Sequence, residues 1–382
     1  MTRTMVLAAV TALTVTECAQ ESRPAAGSLM DEQRLAQIRL AMTELVEAGK
    51  LRGAVTFVAR REVTVLHEAF GHVDANRTTP MGTDRIFQIR SMTKMLTAVA
   101  VMMVVEAGGL SLSDPVEKYL PEFRGQSVLA ARRGDQTSRL SSTPRPITVR
   151  DLLIHTSGMR PDYSTEPEGP APPWGPGQQA MQTLASVVAF KARRPLEFEP
   201  GVRFGYSGAG FETLGRIVEV VSGQLYERFV TERIFTPLGM TDSFFFPPEE
   251  KRARVGPTPL YPAGARFASP ANGANSTARD VGSFLQMIAN AGALGGRRLL
   301  SPSSVRQMTS AQTGSLEAGW EPGGAWGLGF ELQPSSGTLG HPTAGGSYAW
   351  VDPSRQLVGV FLGGNAEARA AFMAMIANAA ID

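Results

Sequence analysis

The chain has 382 residues, 43% of them apolar and 19% charged, with a net charge of +2. That is enough to bury a large core in one or two domains, and too apolar for wholesale disorder. With no long basic run, nucleic-acid binding has no support. The single cysteine, Cys18, excludes an internal disulfide framework, and only four histidines (His67, His72, His155 and His341) argue against a zinc enzyme.

In chain order, Arg3 precedes an apolar stretch from Met5 to Val15 that is too short to hold a stable membrane span. It reads as an export signal, so a periplasmic or secreted protein is expected, with a cytoplasmic one as the alternative. A lipidated Cys18 is a variant of the first reading, although Glu17 counts against it. Residues 19–29 read as a linker. From Met30 to Ala48 the apolar residues Leu35, Ile38, Met42, Leu45 and Val46 recur at helical spacing. Gly53–Arg60 and Val63–Gly71 read as two strands around a tight turn. The His67-Glu68-Ala69-Phe70-Gly71-His72 run lies in the second strand, and its histidines are one residue too far apart for a zinc motif on a helix.

Ile86–Arg90 reads as a short extended approach to a buried helix, apolar nearly all round from Met95 to Ala107 and stopped by Gly108-Gly109. Helical patterns come next at Val149–Ile154, Ala180–Phe190, Phe211–Val221 and Thr277–Ala291. The segment from Pro161 to Gly177, containing Trp174, is rich in Pro and Gly. Strands are expected again at Trp326–Leu332, Gly346–Val351 and Leu357–Leu362, the last two joined through Asp352-Pro353-Ser354-Arg355, with a closing helix at Glu367–Ile381. Strands at both ends and helices between them predict an α/β (α+β) fold: one antiparallel sheet flanked by terminal helices, with a mostly helical insertion. The expected division is a leader at 1–29, an α/β domain from 30–110 plus 320–382, and a helical domain at 111–319, with the active site between the two domains.

Three constellations carry chemistry. Ser91-Met92-Thr93-Lys94 opens the buried helix and places serine and lysine one turn apart, on one face. A serine needs a base, and a lysine surrounded by Leu96, Val99, Val101 and Met102 loses hydration, which lowers its pKa toward a useful range. At a helix N-terminus the serine N–H also points outward, ready for a developing oxyanion. Tyr206 lies in the glycine-flanked loop Gly205-Tyr206-Ser207-Gly208; beside a lysine its phenol is expected to be easier to ionise. The third is Leu339-Gly340-His341-Pro342-Thr343-Ala344-Gly345-Gly346-Ser347, whose glycines let a backbone edge approach an acyl group.

This order of Ser-x-x-Lys, a tyrosine and a Gly-rich strand resembles the serine β-lactamase and penicillin-binding superfamily, most closely the class C β-lactamase-like esterases called family VIII carboxylesterases. Supporting segments include Glu106–Pro115, Lys118–Phe123, Leu153–Gly158, Gly201–Ser207, Leu238–Asp242, Ser276–Asp280 and Tyr348–Pro353, so the likeness covers residues 30 to 382. It implies that Ser91 is the acyl nucleophile and that Lys94 and Tyr206 are its base pair. The N–H groups of Ser91 and Ala344 would form the oxyanion hole, and His341, Thr343, Gly345, Gly346 and Trp174 would contact substrate. No cofactor or metal is expected.

Two departures bear on substrate. Lactam-recognising members carry Tyr-x-Asn, and Gly208 stands at that Asn position; they also carry Lys-Thr-Gly, where this chain has His341-Pro342-Thr343. Without that lysine the site suits a neutral ester better than an anionic antibiotic. Neither Gly205–Ala209 nor Gly345–Ala349 completes Gly-x-Ser-x-Gly, which counts against an α/β-hydrolase. The expected function is a carboxylesterase for small, short-acyl esters. β-Lactamase or D-amino-acid peptidase activity, transacylation, or a silent binding domain are the alternatives.

Overall fold

The computed structural model describes residues 30–129, 140–164, 172–174, 178–256, 262, 264–343 and 345–381. The expected leader with Cys18, part of the Pro161–Gly177 segment, and Ala344 lie outside the described residues. The first half contains α1 (Glu32–Glu47), β1 (Gly53–Arg60), β2 (Val63–Gly71), β3 (Phe87–Gln88), α2 (Thr93–Glu106), β4 (Ser127–Leu129), β5 (Leu140–Ser142), α3 (Val149–Leu153) and α4 (Leu184–Ala192). Then come α5 (Gly208–Ser222), α6 (Tyr226–Val230), β6 (Asn275–Ser276), α7 (Ala278–Ala289), β7 (Ala293–Leu294), β8 (Arg297–Arg298) and α8 (Pro302–Met308). The chain returns to the sheet with β9 (Ala325–Trp326), β10 (Glu331–Gln333), β11 (Thr338–Pro342), β12 (Tyr348–Asp352) and β13 (Leu357–Gly363), and ends with α9 (Ala366–Ala379).

Seven strands form one antiparallel sheet in the order β2-β1-β13-β12-β11-β10-β9, so strands from the two ends of the chain meet at the β1–β13 pair. β1 is buried along its whole length. Alternation divides its side chains between two cores: Val55, Phe57 and Ala59 face the core that also holds α2 and α7, whereas Ala54 and Val58 face α1 and α9. Asp31 caps α1 by accepting from the Arg34 N–H, and Leu35, Ile38 and Met42 form its buried stripe. Asn365 caps α9 in the same way, and Ala368, Phe372, Ile376 and Ala379 form its stripe. The two helices pack on each other over the sheet. Among the described residues, no helix is long and apolar enough to cross a membrane.

One expected strand is broken. Trp326–Leu332 is two short antiparallel strands, β9 and β10, because Gly329 turns the chain with φ 81°. A Cβ there would lie 2.5 Å from the Ala98 Cβ, so only glycine lets this turn back onto α2. Its N–H donates to the Leu153 carbonyl at 3.2 Å. The turn thus props α2, the helix that carries the site.

Phe372 is fully buried against Phe361 and Trp350, with ring centroids 5.6 and 6.3 Å away. Truncation to alanine leaves a ring-sized void under the sheet, and Phe372→Ala should cost about 3–5 kcal/mol. Denaturant melts check this; a loss below about 1 kcal/mol would mean that α9 is not part of the cooperative core.

Candidate active site

Ser91 lies in a short 3-10 turn, Arg90–Met92, which feeds directly into α2. Arg90 before it has φ 47°, a left-handed conformation that is costly for a side chain with a Cβ. This turn also places the Ser91 N–H among the first helical donors, which lack an intrahelical acceptor. The apolar pattern of α2 explains the burial of its lysine: the helix is so uniformly apolar that it buries on every side, and Lys94 is carried inside with it, 1% exposed. Its Nζ donates to Ser91 Oγ at 3.3 Å and to the Ala271 carbonyl at 3.1 Å. The loop bearing Ala271 is fixed to α2 twice more: Thr97 Oγ1 donates to the Pro270 carbonyl at 2.6 Å, and the Ala274 N–H donates to Thr93 Oγ1 at 3.1 Å. Burial draws the Lys94 amine down from near 10.5 to about 8, opposed by the negative charges of Asp162 and Glu212.

Tyr206 comes from the loop before α5. The Lys94 ammonium lies 4.7 Å from its ring centroid. The expected lowering of the phenol pKa does not occur: Tyr206 is 6% exposed, and burial pushes its pKa well above the ordinary range. A Ser91 hydrogen bond opposes that rise, while Asp162 and Glu331 add to it. Desolvation of the phenolate dominates, so of the two candidate bases Lys94 is the one that gives up its proton at the lower pH, near 8.

His341, on β11, faces the Tyr206 hydroxyl through Nε2 at 3.4 Å, and its Nδ1 lies 2.8 Å from the Pro342 carbonyl. A carbonyl only accepts, so Nδ1 carries the proton and Nε2 accepts. Burial and the nearby Lys94 charge hold the ring neutral, with its pKa drawn down to about 3. Both nitrogens are engaged inside the protein, and the ring is 1% exposed. His341 therefore lies behind Tyr206, not at the surface that a substrate would touch.

A cavity of about 1020 Å³ is lined by Ser91 and Tyr206 together with Asp162, Tyr163, Trp320 and Thr343, and continues past Tyr348 toward α9. The structure places the other expected contact residues differently. Gly345 is exposed, with open space around it. Gly346 is buried, and a Cβ there would meet the Asn365 backbone at 2.5 Å, so its bareness serves packing against the start of α9. Trp174 lines a neighbouring cavity that shares Asp162 with the first, and packs edge-on against Phe190. Among the described residues, no group of three His, Cys, Asp or Glu is arranged to hold a metal.

Three contributors escape sequence reasoning. His155 (φ 59°) accepts from the Ser207 N–H through Nδ1 at 3.1 Å, and its carbonyl accepts from the Gly205 N–H at 2.7 Å, which clamps the Tyr206 loop. Its ring lies 4.5 Å from that of Tyr206. Trp320 tilts against Tyr206 at 5.4 Å. Asp162 accepts from the Gly208 N–H at 2.8 Å. His155 lies in one of the segments that carry the family resemblance, but no local pattern assigns it a partner 52 residues away; Asp162 and Trp320 have no local signal at all.

The family model described as Beta-lactamase matches residues 38–373. Penicillin-binding protein 4 of Amycolatopsis lactamdurans is 31% identical over 316 residues, 78% of this chain and 77% of that protein. Lovastatin esterase of Penicillium rubens is 30% identical over 255 residues, 63% of this chain and 61% of that protein. A solved family VIII carboxylesterase superposes with a TM-score of 0.72 at 19% identity, covering 91% of this chain and 97% of that one, and so shares the fold.

Proposed function

The chain belongs to the Beta-lactamase family of serine hydrolases, and from that membership we propose that it is a carboxylesterase cleaving small, short-acyl esters through an acyl-enzyme on Ser91. The observation that carries this reading is the Lys94 amine, wholly buried and 3.3 Å from Ser91 Oγ, with a pKa drawn down to about 8. In its neutral form the amine takes the Ser91 proton while Oγ attacks the ester carbonyl. The Tyr206 hydroxyl, protonated, hydrogen-bonded to Ser91 and 3.4 Å from His341 Nε2, relays that proton to the departing alcohol. Water then attacks the acyl-enzyme with the same groups in reverse, releasing the acid and restoring Ser91. The backbone N–H of Ser91 supplies one oxyanion donor, and Ala344 is proposed for the other.

The choice of ester over lactam rests on what lies around Ser91. The third motif offers a buried neutral His341 in place of a cation, and Gly208 offers no amide to a lactam side chain. Similarity to a penicillin-binding protein makes lactam or peptide chemistry the competing reading. One enzyme sample assayed on p-nitrophenyl butyrate and on a chromogenic cephalosporin decides between them. The ester should be favoured in kcat/KM by on the order of a hundredfold or more; parity would sink the recognition argument.

Lys94 also sets the expected pH dependence. Only the neutral amine is a base, so kcat/KM on the ester should rise with pH to a plateau above about 8 and fall off below it, roughly tenfold per unit. A profile that is flat between about pH 6 and 9 would remove Lys94 as the titrating base.

A further inference from the structure

We propose that Asp162 makes the mouth of the Ser91 cavity selective for esters that carry a positively charged ammonium group. The inference rests on the esterase reading of Ser91 and names the substrate class. A Cβ on Gly208 would lie 3.3 Å from both Asp162 carboxylate oxygens, so the carboxylate occupies the space that a side chain at 208 would enter. The bare position at the start of α5 is thus filled by an anion from another loop. One Asp162 oxygen accepts from the Gly208 N–H; the other has no hydrogen bond, and Asp162 makes no ion pair, among the described residues. Asp162 is exposed and lines the cavity together with Ser91 and Tyr206.

The surroundings fit the same ligand. Tyr163 and Trp320, 56% and 53% exposed, stand edge-to-face at 6.5 Å on the cavity wall, and large aromatic rings left open at a cavity mouth are ready cation–π partners. Glu321 adds a second carboxylate beside Trp320. Among the described residues, the cationic side chains of the cavity lining are Arg355, paired with Asp352, and Arg369, which lies over the Tyr348 ring toward α9. Lys94 is buried beneath the floor and turned to Ser91 and Ala271. An ammonium at the mouth meets carboxylates and ring faces; a carboxylate there meets like charge.

The test uses two esters of the same shape, butyrylcholine and its neutral carbon isostere 3,3-dimethylbutyl butyrate. Wild type should favour the cationic ester by about tenfold in kcat/KM, and the preference should shrink in about 0.5 M salt. Asp162→Asn keeps an oxygen for the Gly208 N–H and removes the charge, so its ratio should fall close to one. Any effect of Asp162 on Lys94 cancels in that ratio, because both esters meet the same base. A wild-type ratio at or below one, or an unchanged ratio in Asp162→Asn, overturns the proposal. If neither ester is cleaved, the esterase reading has failed, and calorimetry on Ser91→Ala with butyltrimethylammonium still decides this one. Binding that weakens several-fold on adding Asp162→Asn supports it, and absent or unchanged binding overturns it.

Discussion

Ser91→Ala should abolish ester hydrolysis, with a loss of about 10³-fold or more in kcat, while the protein remains folded. The size of the effect comes from chemistry: without Oγ there is no acyl-enzyme, and only binding and oxyanion stabilisation remain to act on water. The fold should tolerate the change, because Oγ loses only its hydrogen bonds to Lys94 and Tyr206, and the Lys94 Nζ keeps the Ala271 carbonyl. A fluorophosphonate should add one equivalent to the wild-type mass and none to Ser91→Ala, with unchanged melting confirming the fold. An adduct mapped to any other serine would refute the assignment.

Removing the proposed base pair, Lys94 and Tyr206, should come next in size. Lys94→Ala and Tyr206→Phe should each lower kcat by on the order of a hundredfold or more, and the double variant should lose little beyond the worse single. The opposite pKa directions rank them: burial makes Lys94 the acceptor and keeps Tyr206 protonated, so the lysine variant should be the slower of the two. Rate losses that multiply would show two independent roles, and a near-normal Tyr206→Phe would remove the relay.

The same burial has a thermodynamic consequence. The folded-state pKa of Lys94, about 8, lies below the ordinary value near 10.5, so between these pH values the unfolded chain binds the extra proton. Below about pH 8 the fold therefore carries the full cost of a buried charge, about 3 kcal/mol, which fades as pH rises toward 10.5. Lys94→Met should be inactive and more stable than wild type at pH 7, by an amount that shrinks at high pH. A destabilised Lys94→Met would show that the amine's contacts outweigh its desolvation.

Local pattern alone determined much of this protein. β1 and β2 span the residues that their alternation predicts, since the period of two is a property of adjacent residues. α1, α2, α5, α7 and α9 fall within a few residues of their apolar stripes and stops, with Gly108 ending α2 as expected. One helical turn suffices to put Lys94 beside Ser91, so that pairing needed no fold. Tertiary structure decided the rest. Trp326–Leu332 has the composition of one strand but is broken, because Gly329 must back onto Ala98 in a helix 231 residues earlier. The Tyr206 phenol responds to water excluded by His155, Trp326 and Trp320, and desolvation belongs to an enclosure, not to a sequence interval. The carboxylate of Asp162 reaches the space beside Gly208 only because two loops meet, 46 residues apart in the chain. Periodicity records what each residue does relative to its neighbours, and the site's charge, polarity and reach are set by residues that are neighbours only after folding.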